Sequence, residues 1–363
     1  MKNILFVANQ SGHGGAEKML TWLANSLSND NNYKIYYCIL DNEASFYKLN
    51  EKITFIKSPR KSNKNFIYRN TIGFIYNNIL LCKIIKRNNI NLIINFNDHA
   101  VYNVWLCKIC FKVKVLISQR VDPSSIISIT GKLRLRLLCN ADKLVFQTVS
   151  AMDFFSEKIK KKSIVINNPI FNKPNDLWEI KNTKKRILNI ARIDVRQKRQ
   201  DILIKAFAEV HKKHPDYNLY LFGEKIDTDY EKLIMLINEL GLNECIKYCG
   251  ITTDIYTEMC KSKMFVLSSD YEGIPNVLLE AMSLGMPIIS TDCKPDGAKM
   301  LLNNNCGIIV PRGDSTTLAE NIIKLIEHPQ YAIQLGNNAL KSIHRFDENI
   351  ILNEWKKIIL EIN

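Results

Sequence analysis

Three short segments of this chain hold residue types that can bind an anionic ligand. One is Arg192-Ile193-Asp194-Val195-Arg196-Gln197-Lys198. Arg192 supplies a planar bidentate fork and Lys198 a point charge, and a loop carrying both can close around a diphosphate. Another is Glu272-Gly273-Ile274-Pro275-Asn276-Val277-Leu278-Leu279-Glu280. Pro275 suits the first turn of a helix. Glu272 then falls in the preceding loop, and Glu280 about a turn and a half inside. Backbone N–H groups over Gly273–Val277 would face a ligand and hold phosphate or sugar oxygens. The two carboxylates can bind hydroxyls. The last is Ser11-Gly12-His13-Gly14-Gly15-Ala16-Glu17. Its glycines let backbone approach a ligand, and the helix it opens favours an anion. It is not G-x-G-x-x-G, so the dinucleotide fingerprint is unmet, and a tight strand-to-helix turn accounts for it equally well.

These segments need strands before them and helices after them, and the periodicity supplies both. Short β-branched runs fall at Asn3–Ala8, Lys34–Leu40, Asn91–Asn95, Lys114–Ser118, Lys143–Gln147 and Ser163–Asn167. Helical stretches include Ala16–Leu27, Phe66–Arg87 and Gly131–Cys139. The polar stretch Asn172–Lys185 reads as a linker. The alternation then resumes with strands Arg186–Ala191, Tyr217–Phe222, Ile246–Cys249, Met264–Leu267, Pro287–Ser290 and Gly307–Val310, and with helix Gln200–His211. Helices Gln330–Ile343 and Ile350–Ile362 close the chain. Alternation of this kind predicts two α/β domains, each with a doubly wound parallel sheet, at 1–170 and 184–345. Such sheets place ligands at the carboxyl ends of their strands, which puts the three segments at a cleft.

The 363 residues exceed a single core, and 46% hydrophobic with 24% charged residues is a globular composition. The net charge of +14 is uneven. Residues 1–170 hold 25 basic and 10 acidic side chains, whereas residues 171–363 hold 25 and 26. An anionic partner for the first half follows, a membrane surface or a nucleic acid. No run reaches about 18 apolar residues, so no membrane span is expected. Met1–Ala8 reads as a first strand rather than a signal peptide, which places the ten cysteines in a reducing compartment. Cys107-Lys108-Ile109-Cys110 has metal-like spacing, but no second pair completes it. No metal site is expected.

Taken together, the Gly-Gly-Ala-Glu loop, the Arg192…Lys198 pair and the Glu272…Glu280 segment resemble the retaining GT-B glycosyltransferases of family 4. Gly285-Met286-Pro287-Ile288-Ile289-Ser290-Thr291-Asp292-Cys293 and the final helix after Arg345-Phe346 resemble that family too. The nearest likeness is to bacterial enzymes that extend lipid-linked O-antigen, capsule or N-glycan precursors. The resemblance implies a GT-B fold, an acceptor-binding first domain, a donor-binding second domain, and a helix at 346–363 packing back on the first. It gives Arg192 and Lys198 the nucleotide diphosphate, Glu280 the ribose hydroxyls, and Glu272 the donor sugar with backbone help from Gly273, Ile274, Asn276 and Val277. Gly14 and Gly15 would touch the phosphates, and Ile251, after Gly250, the base. Many relatives carry a His near the donor sugar, where this chain reads Ser118-Gln119-Arg120, so Arg120 takes that role; His99 and His13 are further candidates.

Fixed cations and helix dipoles can stabilise a departing diphosphate without a metal, so the implied enzyme uses no cofactor. Retention without an enzymic nucleophile implies same-face attack, the departing phosphate taking the acceptor's proton. Pro295-Asp296-Gly297-Ala298 resembles enzymes using UDP-linked galactose, glucose or their N-acetyl forms. The basic first domain would meet a lipid-linked (undecaprenyl diphosphate) saccharide acceptor, through peripheral contact of a cytoplasmic protein with the anionic inner membrane. A sugar-nucleotide epimerase of the same fold, or a transferase to a soluble acceptor, are the alternative readings. Nucleic acid is excluded for want of any nucleic-acid-binding module.

Overall fold

β-Branched and aromatic runs that are apolar on both faces can only be buried between layers of helices, and parallel strands are the result. A computed structural model of the chain describes residues 1–9, 15–41, 44–58, 72–96, 100–120, 122–125, 128–171, 174 and 176–362. The chain divides into two compact units. One comprises Met1–Asn168 with Asn349–Asn363, the other Pro169–Glu348.

The first unit contains β1 (Lys2–Ala8), β2 (Tyr33–Ile39), β3 (Thr54–Lys57), β4 (Leu92–Asn95), β5 (Lys114–Gln119), β6 (Lys143–Phe146) and β7 (Ser163–Val165). They form one parallel sheet in the order β3-β2-β1-β4-β5-β6-β7. The second unit contains β8 (Arg186–Ile190), β9 (Asn218–Phe222), β10 (Ile246–Tyr248), β11 (Met264–Leu267), β12 (Ile288–Thr291) and β13 (Ile308–Val310). Its parallel sheet runs β10-β9-β8-β11-β12-β13. In both sheets the order reverses once, between β1 and β4 and between β8 and β11. The loops that leave two such neighbours bound the crevice of a doubly wound sheet.

Helices seal the sheets with one apolar face each. Helix Gly15–Ser28 buries Met19, Leu20, Leu23, Ala24 and Leu27, a 3.6-residue stripe. The final helix, Glu348–Glu361, buries Ile351, Trp355, Ile358 and Ile359 within the first unit. Lys2 Nζ donates to Ile359 O at 2.8 Å and also to Ile362 O. Lys356 pairs with Asp30 at 2.7 Å, and that hydrogen bond, with the N–H of Asn32, holds the Asp30 carboxyl below the usual range. Trp355 is fully buried and stacks on Phe96 with ring centroids 5.8 Å apart.

Several expectations from sequence are corrected. The second unit begins at Pro169, not 184, because Trp178 in the stretch read as a linker packs into that unit's core. Trp178 is buried, its Nε1 donating to Ser262 O at 2.8 Å and its amide to Leu284 O at 2.9 Å. Strand β3 was not expected; it is a four-residue edge strand, mostly exposed, and shows no alternation. Helix Val101–Phe111 was not expected either, since an apolar run of this length has no helical periodicity to read. It carries the Cys107/Cys110 pair, Cys107 buried and Cys110 exposed, and all ten cysteines are free thiols. Of the expected helix Phe66–Arg87, residues 66–71 lie outside the described ones, and the helix runs Ile72–Asn88. No helix among the described residues is long and apolar enough to cross a membrane.

Trp355→Ala removes a large, fully buried indole and should cost the first unit about 3–5 kcal/mol. Urea unfolding should show that unit's transition moved to lower denaturant while the second unit's transition stays in place.

Candidate active site

The strand-order reversal in the second unit places two loops side by side: Ala191–Arg199 after β8 and Ser268–Pro275 after β11. Backbone and side-chain bonds join them. The Asp270 amide donates to Gln197 O at 2.8 Å, Gln197 Nε2 to Tyr271 O at 3.1 Å, and Ser268 Oγ to Lys198 O at 2.7 Å. Arg199 reinforces the join by pairing with Asp270 at 2.9 Å and with Asp201 at 3.0 Å.

Inside this frame Lys198 Nζ lies 2.5 Å from Glu272 Oε1, with the two side chains 18% and 11% exposed. Ser269 Oγ donates to the same carboxylate oxygen at 2.7 Å, and the Glu272 amide donates to Lys294 O at 2.7 Å. Arg192 is half exposed; its Nη2 donates to Asp194 Oδ2 at 2.8 Å and to Gln197 Oε1 at 3.3 Å. Asp194 is buried. Burial alone would raise its pKa, but Arg192 and the amides of Gln197 and Arg196 outweigh it and hold the carboxyl below the usual range.

Helix Asn276–Leu284 starts one residue later than expected. Pro275 is extended (φ −70°, ψ 106°) and caps the helix instead of sitting in its first turn. The helix N-terminus follows Gly273 and Ile274 directly and carries the positive end of its dipole. Glu280 is buried one turn in, and its charge adds to burial in pushing the Tyr256 hydroxyl up to about 12. Tyr256 in turn donates to Phe171 O at 2.9 Å.

Two glycines explain how closely this backbone packs. A Cβ on Gly297 would lie 1.8 Å from Gly273 O, so only glycine lets the Pro295–Ala298 turn sit against the Glu272 loop. A Cβ on Gly223 would lie 2.0 Å from Ala191 O, and Gly223 has φ +143°. Gly223 donates its amide to Gly250 O at 2.8 Å, which brings the Gly250-Ile251 loop to the same end of the sheet. Ile251 itself is 72% exposed.

The structure therefore joins Arg192, Lys198, Glu272 and the Gly273–Val277 segment, with Glu280 in the following helix. Sequence reading missed Asp194, Gln197, Ser269 and Gly297. Asp194 was visible as Arg-x-Asp spacing, but its bracing of Arg192 needed the loop's geometry. In the first unit, Gly15 opens helix Gly15–Ser28, while Gly14, His13 and His99 lie outside the described residues. Arg120 is buried in that unit. Its guanidinium lies 4.3 Å from the Phe96 ring centroid and 5.6 Å from that of Trp355, and Nη1 donates to Asn168 Oδ1 at 2.7 Å. Nε and Nη2 have no hydrogen-bond partner among the described residues. Burial pushes its pKa down. Among the described residues, no three His, Cys, Asp or Glu side chains converge as a metal site would need.

Two parallel doubly wound sheets, with cations and carboxylates gathered where strand order reverses, define the class: the chain is a glycosyltransferase of the GT-B fold. Residues 174–342 match the family Glycosyl transferases group 1. An uncharacterized glycosyltransferase of Haemophilus influenzae is 24% identical over 99% of this chain and 100% of its own length. A Campylobacter jejuni enzyme is 23% identical over 100% of this chain and 99% of its own. Its name describes an α-1,4-N-acetyl-D-galactosaminyltransferase acting on a GalNAc-GalNAc-diNAcBac-PP-undecaprenol substrate. Among solved structures, Anabaena HepE in complex with UDP and glucose superposes with a TM-score of 0.81 at 17% identity, covering 99% of this chain and 100% of HepE. That likeness establishes a shared fold.

Lys198→Met would leave Glu272 buried without its cation and should destabilise the second unit by about 3–5 kcal/mol. The double variant Lys198→Met/Glu272→Leu should recover most of that loss, read as a coupling energy from denaturant unfolding. Asp194, held below its ordinary pKa, adds stability that is present above the unfolded carboxylate value and lost as pH falls through the folded value. Asp194→Asn should therefore lower stability near neutrality and flatten its decline below about pH 4, measured as unfolding midpoint against pH.

Proposed function

We propose that this enzyme transfers a hexose or N-acetylhexosamine from a UDP-sugar, with retention, to an undecaprenyl-diphosphate-linked saccharide in surface-polysaccharide assembly. The observation that carries the reading is the Lys198–Glu272 contact beside Arg192 and a helix N-terminus. A nucleoside diphosphate needs fixed positive charge where it departs, and a sugar needs a carboxylate within hydrogen-bonding reach of its hydroxyls. Here both sit on adjacent loops of one sheet. Arg192 and Lys198 hold the diphosphate, Glu272 and the Gly273–Val277 amides meet the sugar, Glu280 takes the ribose, and Ile251 lies by the base.

As the bond to the diphosphate breaks, negative charge grows on the phosphate oxygens. The two cations and the helix dipole stabilise it, so no divalent metal is required. The departing phosphate takes the acceptor's proton while the acceptor attacks from the same face. The undecaprenol-linked substrate in the Campylobacter relative's name supports the acceptor class, and the UDP in the HepE title supports the nucleotide. A lipid-borne acceptor places the enzyme at the cytoplasmic face of the membrane, held peripherally through its basic first domain.

A panel of UDP- and GDP-sugars with an undecaprenyl-diphosphate saccharide tests the reading. Transfer should occur from a UDP-sugar, persist in EDTA, and fall about 10²–10³-fold in kcat in Glu272→Gln and Lys198→Met. Strict dependence on a divalent metal, or full activity in either variant, would overturn the mechanism. Donor epimerised without acceptor would make the enzyme an epimerase.

A further inference from the structure

Three neighbouring helices of the first unit share an unusual composition. Ile72–Asn88, Val101–Phe111 and Ile129–Leu137 carry no carboxylate at all, and between them hold seven cations. They form one surface. Asn103 Nδ2 donates to Phe74 O at 3.1 Å, and Tyr102 Oη to Thr130 O at 2.6 Å. Lys108 is neutralised by Asp142 at 2.6 Å. Among the described residues, none of the other six pairs with a carboxylate.

The same surface leaves large apolar side chains in water. Ile75 is 59% exposed, Ile79 50%, Ile129 87% and Leu133 49%, and Ile72 and Ile109 are exposed as well. Ile72, Ile75 and Ile79 stand at i, i+3 and i+7, a stripe along one helix face that stays exposed among the described residues. Between the first two helices the stripe opens into a groove of about 420 Å³, lined by Phe74, Ile75, Ile79, Leu106 and Phe111. Lys83 and Lys86 complete the lining toward the helix's C-terminal end, Lys86 with its ammonium 5.6 Å from the Phe111 ring centroid.

We propose that this groove takes a hydrocarbon chain of an anionic membrane lipid, with Lys83 and Lys86 on the lipid phosphate and the flanking helices resting on the bilayer surface. Charge selects the occupant. A second copy of the chain would bring the same uncompensated cations to one interface twice, whereas a phosphate at the mouth of the groove neutralises them. Each methylene buried strengthens binding about fourfold. Each cation near an anionic surface adds about fivefold. The proposal shares with the preceding section the reading of a lipid-borne acceptor, and names the surface that would bring the enzyme to it.

Co-sedimentation with vesicles of phosphatidylcholine plus phosphatidylglycerol, against phosphatidylcholine alone, tests it on the full chain. The protein should bind only the anionic vesicles. Ile79→Asp, at an exposed position whose unfolding midpoint should not move, should weaken binding at least about tenfold, as should Lys83→Glu/Lys86→Glu. Cys82 also lines the groove, so its maleimide labelling, mapped by mass spectrometry, should slow when anionic vesicles are present. Wild-type binding by Ile79→Asp, or unchanged Cys82 labelling on bound protein, would overturn the proposal. Cys82 protection that appears without lipid as protein concentration rises, together with a dimer mass, would overturn it in favour of a second copy. Ile79→Asp should leave transfer to a water-soluble acceptor unchanged. If wild-type protein binds vesicles this way yet transfers sugar to no acceptor, the functional reading fails and the lipid groove stands.

Discussion

The candidate site depends on one constraint of topology, the reversal of strand order between β8 and β11. Adjacent strands of a doubly wound sheet that send their connections in opposite senses leave a gap at their carboxyl ends that no crossover helix fills. The Arg192–Lys198 segment leaves one strand and the Glu272 segment leaves the other. Their side chains meet only because the strands are hydrogen-bonded neighbours, with Phe265 opposite Leu188. The bonds from Asp270, Gln197 and Ser268 then turn two loops into one rigid rim. Gly297 lets a third segment press against that rim without a side chain between them.

Electrostatics follow from this closeness. Lys198 and Glu272 are mostly buried and could not be left singly charged, so each holds the other in place. On the proposed reading, a diphosphate at Lys198 would meet a cation whose orientation is already fixed, which is the condition under which fixed charge is most effective. Arg192 is treated differently: it stays half exposed, while the buried Asp194 takes one edge of its fork. One cation is thus set deep beside the carboxylate, and the other is presented toward solvent on a braced arm.

How much of this was legible in the sequence differs by kind of signal. Both sheets could be read, because strands such as Met264–Leu267 are continuous apolar runs and the helices between them are amphipathic. The exposed strand Thr54–Lys57 and the helix Val101–Phe111 could not, since one has no alternation and the other no polar face. Arg192, Lys198, Glu272 and Glu280 were singled out as candidates from residue type and from their place after a strand or in the helix that follows. Asp194, Ser269 and Gly297 were not: Asp194 and Ser269 lie two and three residues from the partners they brace, and only the folded loop turns them onto those partners, while Gly297 acts through a missing Cβ. The supposed linker failed for a similar reason. A polar stretch around Trp178 looks like a spacer until the indole finds Ser262 and the core of the second unit.

The final helix gives the chain an order of assembly. Its Trp355 covers Phe96 and Arg120 in the first unit, yet the whole second unit lies between them in sequence. During synthesis from the N-terminus, the first sheet is complete long before its last covering helix exists. The second unit can close on its own residues while the ring of Phe96 and the guanidinium of Arg120 still lack their indole lid. The unit made first is therefore the unit finished last, and a nascent chain stalled before Glu348 would carry a formed second unit and a first unit still open to water.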